Sequence, residues 1–456
     1  MTNASTPLQV AKFGGTSVAD FTALSQCASI IVSDPTTRVV VVSAAAGVTN
    51  RLVELTQADL PNNERQRLLK EIAAIEYAIV DQLSGSEIRA AVDALLTQMA
   101  NLVDRISHCT GDQLAPLADS LLSIGERCSS LLLTQVLKQL GVDAVNFDVT
   151  RVMRTDGHHG KATPDCASLT LNALEQLLPL TENQVVVTQG FIGADDEGNV
   201  TTLGRGGSDF SAALLAEALG ASALAIWTDV NGIYSCDPRV VVDAKPIAEL
   251  SFSEAAEMAT FGSKILHPAT ILPAQRSQTP VFVGCTRAPE QGGTWIRNHC
   301  ESRPKFRALS LRRGQTLLTA HSLNMLHSQG FLAELFAILA RHRISVDLIT
   351  TSEVSVALTL DQTGSDSSGR SLITEALLEE LAPLCRVEVE RDLSLLAVIG
   401  NHIAHTSGIG IRVLDAIGDS NIRMFCQGAS AHNLCFLVAS SEVEAITNRL
   451  HARLLN

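Results

Sequence analysis

The run Val39-Val40-Val41-Val42 narrows the fold more than any other stretch of this chain. Four consecutive β-branched residues are stiff at χ1 and favour extended backbone. No polar position alternates with them, so such a strand has to be covered on both faces, as in a parallel sheet between layers of helices. Residues 8–13, 184–188 and 223–227 also read as strands. Small and glycine-rich residues follow these strands, and helical periodicity follows those. Apolar residues recur at three- and four-residue spacing over 64–105 and 120–140, which predicts helix in both places. The alternation predicts an αβα sandwich for residues 1–295.

Between residues 284 and 307 the rhythm breaks at Pro289, Gly292, Gly293 and Pro304. Beyond it two similar rounds follow. Strands at 315–319, 346–350 and 354–361 alternate with helices at 330–342 and 371–381. Strands at 394–399, 422–427 and 434–438 then alternate with helices at 410–417 and 442–454. Two βαββα rounds in series predict two ferredoxin-like modules, at 307–392 and 393–456. The fold class expected is therefore α/β, a sandwich followed by two small binding modules.

Composition excludes several functions. Hydrophobic residues make up 46% of the 456 and charged residues 18%, enough to bury a large core and too apolar for disorder. The net charge is -14 and no Lys/Arg run interrupts it, so general binding to nucleic acid or an anionic membrane is not expected. The ten cysteines show no C-x-x-C or zinc-finger spacing, and read as free thiols in a reducing cytosol. The opening Met1-Thr2-Asn3-Ala4-Ser5 has no basic segment leading into an apolar one, and no apolar stretch nears the ~20 residues of a bilayer span. A cytoplasmic protein is expected.

The chemistry collects at strand ends. Lys12-Phe13-Gly14-Gly15-Thr16-Ser17 places two glycines where backbone N–H groups can approach an anion, with a lysine to meet a transferring phosphoryl group. Ser43 to Asn50 is a turn of small residues ending in Thr49 and Asn50. Leu203-Gly204-Arg205-Gly206-Gly207-Ser208-Asp209 opens a helix, and a glycine-rich helix start attracts anions. Arg205 can fork onto a carboxylate; Asp209 can cap the helix or serve the site. Thr228 to Arg239 is a polar loop after a buried strand, where open α/β sheets bind ligands. Gly262 to Pro268 carries a second lysine, Lys264. Residues 364–371 nearly match a Walker A loop, but Arg370 stands where lysine is needed. The glycines of 398–410 miss the dinucleotide fingerprint, and His402 and His405 lack the spacing and third ligand of a metal site.

Taken together, Lys12 to Ser17, Ser43 to Asn50, Gly125-Glu126, Gly204 to Asp209, Thr228 to Arg239 and Lys264 resemble the aspartate kinases of the amino-acid kinase family, in order and spacing over essentially the whole chain. Residues 322–326 and 345–353 look like the regulatory half of the lysine-sensitive, monofunctional form, whose tail repeats are ACT domains. The resemblance implies transfer of the γ-phosphoryl of ATP to the β-carboxylate of L-aspartate, the first step of lysine, threonine and methionine biosynthesis. It assigns Lys12, Asp209 and Lys264 to catalysis. Thr49, Glu126, Arg205 and Ser208 would bind substrate, with Arg205 on the α-carboxylate and Glu126 on the α-ammonium. Gly14, Gly15, Thr228, Asp229, Tyr234, Arg239, Lys264 and Ile265 would line the ATP site. Mg²⁺ would bridge the phosphates, and no resident metal site is expected. Ile124 and Ala45 depart from the pattern, where relatives carry histidine and serine.

The same resemblance implies feedback inhibition by L-lysine through Met325, Ser328, Ser345, Val346, Asp347, Ser352 and Glu353. It also implies a homodimer, tetrameric when inhibited. Two other readings stay open at this level: a kinase of another small amino acid in the same fold, and a non-catalytic amino-acid sensor.

Overall fold

Strand β1 (Gln9–Phe13) runs up the middle of an eight-stranded sheet. In chain order the further strands are β2 (Thr37–Val42), β3 (Ala144–Phe147), β4 (Val185–Gln189), β5 (Ile192–Ala194), β6 (Val200–Thr202), β7 (Ala223–Thr228), β8 (Glu249–Ser251), β9 (Val281–Cys285) and β10 (Gly293–Arg297). Their order in the sheet is β3-β4-β2-β1-β7-β9-β10-β8, with β5 and β6 forming a separate hairpin. Strands β3, β4, β2, β1, β7 and β9 are parallel throughout. The winding reverses at β1, which places a crevice at its carboxyl end. The coordinates are a computed structural model and describe residues 7–109, 111–262, 266, 268–325, 329–362 and 371–455.

All four valines of 39–42 are fully buried, as a doubly covered strand requires. Val40 and Val42, with Ala11 and Phe13 of β1, face a layer built from α1 (Phe21–Ser33), α2 (Val48–Leu55), α3 (Asn62–Val80), α4 (Ser86–Ser107) and α5 (Leu114–Gln139). Side chains alternate along a strand, so Val10, Lys12, Val39 and Val41 point to the other face. That face carries α8 (Gly207–Ala218), packed with α6 (Cys166–Asn172) and α10 (Pro268–Ser277). Helix α7 (Leu178–Thr181) precedes β4, and α9 (Phe252–Thr260) follows β8. The periodic stretch 64–105 is two helices rather than one, because Gly85 at φ 106° cannot continue a helix.

The chain forms two units: Met1–Ile233, Pro246–Phe252 and Ile265–Cys300 make the first, and Tyr234–Lys245, Ser253–Lys264 and Glu301–Asn456 the second. The second is built on one six-stranded antiparallel sheet of order β12-β13-β11-β14-β16-β15. Its strands are β11 (Ala308–His321), β12 (Leu348–Thr351), β13 (Ser355–Asp361), β14 (Arg386–Ile399), β15 (Ile422–Gln427) and β16 (Asn433–Ala439). Helices α11 (Phe331–Arg341), α12 (Glu375–Leu381), α13 (Ile409–Ile417) and α14 (Val443–Leu454) cover it. The two rounds read from the sequence are therefore halves of one sheet, joined through the 14-residue strands β11 and β14. Both strands kink midway, at Gly314 (φ 69°) and Asp392 (φ 59°), where their register also shifts. Among the described residues no helix is long and apolar enough to cross a membrane, and all ten cysteines are free.

Glu76 on α3 stands out in the first core. It is fully buried, and neither carboxyl oxygen has a hydrogen-bond partner. Burial pushes its pKa from 4.5 up to about 8. The folded chain thus holds a neutral acid that the unfolded chain ionises, so stability is lost as pH rises from 4.5 and levels off above 8. Glu76→Leu is expected to raise stability by about 3 kcal/mol at neutral pH and by much less near pH 4.5. Denaturant unfolding of both proteins at the two pH values checks this.

Candidate active site

Lys12 points away from the α1–α5 layer and meets the first turn of α8. Its Nζ lies 2.5 Å from Oδ1 of Asp209, with the two side chains 11% and 16% exposed. The contact is an ion pair. Of the two roles open to Asp209, it does not take that of the helix cap. The N-cap of α8 is Gly206, left-handed at φ 77°, and no side chain caps it. Helix α2 begins in the same manner at Gly47 (φ 81°). The leading N–H groups of both helices are thus free of side-chain caps, the arrangement that suits an anionic ligand.

Glu126 approaches from the opposite layer. It sits in the middle of α5, 3% exposed, and its Oε1 accepts from the backbone N–H of Ala44 at 3.1 Å. Its Oε2 has no partner. Burial raises the carboxyl to about 8, against the opposing pull of the Ala44 N–H and of Lys12. Ala44 lies in the turn after β2, and α5 can come this close because residue 125 is glycine. A Cβ there would lie 2.5 Å from that of Ala44 and 3.2 Å from Cγ1 of Val48.

Other expected residues fall around this core. The N–H of Gly14 donates to the carbonyl of Trp227 at 3.0 Å, and Ala46 donates to Gly15, tying the glycine turn to β7 and to the turn after β2. Ser208 is brought against the end of β4 by Gly190, where a Cβ would lie 2.7 Å from the Ser208 Cβ. Thr49 is half-buried in the first turn of α2. Arg205 is exposed, between two left-handed glycines, and pairs with no acid among the described residues. Thr228 and Asp229 line a cleft with Thr16, Ser17, Thr286 and Arg287. A hydrogen bond between Ser17 Oγ and Thr286 Oγ1 at 2.6 Å closes its floor.

Tyr234 and Arg239 belong to the second unit. Arg239 forks onto Asp237 at 2.9 and 2.7 Å, while Cys236 and Val241 are buried in that unit's core with Phe306 and Leu309. The loop after β7 is thus anchored, where the sequence suggested a polar loop only. Lys264, Ile265 and Ser328 lie outside the described residues, as does most of the Walker-like stretch. Of the expected inhibitor residues, Met325 and Val346 pack on the core of the first half-sheet. Asp347 pairs with Arg312 at 3.1 Å, and Ser352 closes the β12–β13 turn onto Ser355. Ser345 and Glu353 are exposed.

Sequence reading missed Thr286, Gly190 and Asp119. The first two act through partners elsewhere in the chain, Ser17 and Ser208, which one sequence does not reveal. Asp119 had a signal: it precedes Glu126 by seven residues, two helical turns, but the helix expected at 120–140 began one residue too late. The helix starts at Leu114.

A profile of the amino acid kinase family matches residues 7–285, and one of the ACT domain matches 396–454. The chain is 55% identical to the lysine-sensitive aspartokinase 3 of Escherichia coli, over 98% of both chains. It is similar to the crystal structure of E. coli aspartokinase III with aspartate and ADP in the R-state, at a TM-score of 0.91 and 54% identity. That match covers 98% of this chain and all of the other. The T-state structure with lysine and aspartate matches over the same shares at a TM-score of 0.83.

The close approach at Gly125 carries its own test. Gly125→Ala is expected to push the Ala44 turn off α5, lowering stability by about 1–3 kcal/mol and weakening the Glu126–Ala44 hydrogen bond. Calorimetry should show a lower Tm, and an unchanged Tm would mean that the turn gives way freely.

Proposed function

This chain belongs to the amino acid kinase family and, within it, to the aspartokinases, and from that premise we propose that it transfers the γ-phosphoryl group of ATP to the β-carboxylate of L-aspartate, giving 4-phospho-L-aspartate. The observation that carries this reading is the Lys12–Asp209 ion pair at the end of β1, beside a buried Glu126 with one unpartnered oxygen. A transferred phosphoryl group is met chiefly by positioning and fixed charge. Lys12, held by Asp209, supplies a preorganised cation that stabilises charge on the moving group. The acceptor carboxylate is already an anion, so no strong general base is required. Glu126 and Arg205 would read the α-ammonium and α-carboxylate, which favours an α-amino acid over other small acids. The uncapped start of α8 and the glycine turn after β1 suit phosphate oxygens.

No group of three His, Cys, Asp or Glu side chains able to hold a metal ion occurs among the described residues. The reading accordingly brings Mg²⁺ in with the nucleotide, held by its phosphates, where it would neutralise their charge. Lysine inhibition through the second unit, assembly as a homodimer and a cytoplasmic location belong to the same proposal. In that unit the Asp347 carboxylate holds Arg312, so a lysine ammonium that pairs with Asp347 would have to share or displace that partner.

Incubation with Mg-ATP, aspartate and hydroxylamine should yield aspartyl hydroxamate, at a rate that lysine lowers. Lys12→Ala is expected to cut that rate about a thousandfold while circular dichroism stays unchanged; full retained activity would remove Lys12 from the mechanism.

Glu126 also makes substrate affinity pH-dependent. In the empty site it is neutral below about 8, whereas an ammonium partner favours the carboxylate. Aspartate binding below that pH therefore releases a proton. KM for aspartate should fall about tenfold per unit as pH rises toward 8 and then level off. Glu126→Gln should raise KM and flatten the profile. Steady-state kinetics across pH, with calorimetry in two buffers to count the proton, decides it.

A further inference from the structure

Asp119 is 1% exposed, on the same helix as Glu126 and two turns before it. Its carboxylate is the meeting point of three chain segments. Oδ1 accepts from Thr202 Oγ1 at 2.6 Å, and Oδ2 from the Thr202 N–H at 3.1 Å. The Gly160 N–H donates to both oxygens, at 3.2 and 3.0 Å. Nδ1 of His159, itself 12% exposed at the side chain, lies 2.8 Å from Oδ2. Thr202 and Gly160 are in turn linked around the next turn of chain. Ala162 donates to the Thr202 carbonyl at 2.8 Å, and the Gly160 carbonyl lies 3.4 Å from where a Cβ on Gly204 would sit. One residue further on is Arg205.

Strand β6 is already paired with β5. What Asp119 adds is a fixed offset between the end of β6 and α5. We propose that Asp119, held by His159, is the positioning residue that sets Arg205 at a fixed distance from Glu126, so that the two readers of the substrate's α-carboxylate and α-ammonium are referenced to one helix. This rests on the reading of Arg205 and Glu126 given above. Asp119 touches no substrate. It acts by preorganisation, because a charge-assisted cluster around a buried carboxylate tolerates little displacement and small misplacements of a binding group cost heavily in rate.

The test compares kcat/KM for L-aspartate with that for its α-amide, which lacks the charge that Arg205 would read. Asp119→Asn places an NH₂ group against donors and is expected to raise KM for aspartate about tenfold. It should collapse the preference over the α-amide and leave KM for ATP near its original value. His159→Ala, which keeps the carboxylate, should move both quantities in the same direction by less, and His159→Asn should restore them. Should Asp119→Asn fail to fold, the two His159 variants decide. Arg205→Ala is the control: an unchanged preference there overturns the role given to Arg205 and the inference with it. If Arg205→Ala collapses the preference while the Asp119 and His159 variants leave it and KM intact, or lose activity only by lowering the amount of folded enzyme, Asp119 is a structural residue and the proposal fails.

Discussion

A cation at the end of a fully buried central strand is the constraint around which the first unit is arranged. Lys12 emerges where β1 is covered on both faces, and an unpaired charge there would be costly. Asp209 neutralises it from α8. That pairing fixes where α8 must start, and the start must be left-handed, at Gly206. The same strand end must admit α5 from the other layer, which requires Gly125 against Ala44. Glu126 then arrives with one oxygen satisfied and one open. The candidate site is the set of places where missing side-chain volume lets two helical layers converge on one lysine.

Much of this was legible in the sequence, because it rests on local chemistry. The valine run declared a doubly covered strand, and the glycine-rich turns after β1 and before α8 declared close backbone approach. Lys12, Asp209, Glu126 and Ser208 all lie within the first unit, near the end of β1. What the sequence could not show is convergence. Nothing local says that Gly190 exists to admit Ser208, or that Ser17 and Thr286 share a hydrogen bond across 269 positions. Asp119 hid for another reason. The helix expected at 120–140 starts at Leu114, so an aspartate two turns before Glu126 fell just outside it.

The second unit was legible in its element order and less so in its continuity. Expected strands at 315–319 and 394–399 are parts of the 14-residue strands Ala308–His321 and Arg386–Ile399, the second at its strand's C-terminal end. Segments 234–245 and 253–264 also escaped notice as part of this unit. Their polar residues look like loop and helix surface, yet Ser235 meets His451 at 2.9 Å, and Glu254 takes hydrogen bonds from Arg307 and Asn401. Buried polar side chains are informative only once their partners are known.

The paired kinks at Gly314 and Asp392 give the second unit a mechanical character that two tethered modules would not have. A flexible linker dissipates displacement, since its dihedrals absorb whatever one module does. Here the two half-sheets share backbone, and the strands that join them are also their central hydrogen-bonded pair. A change of twist in one half is therefore passed along covalent bonds into the register of the other. The unit is in this sense a single creased plate, with its crease on the line through residues 314 and 392.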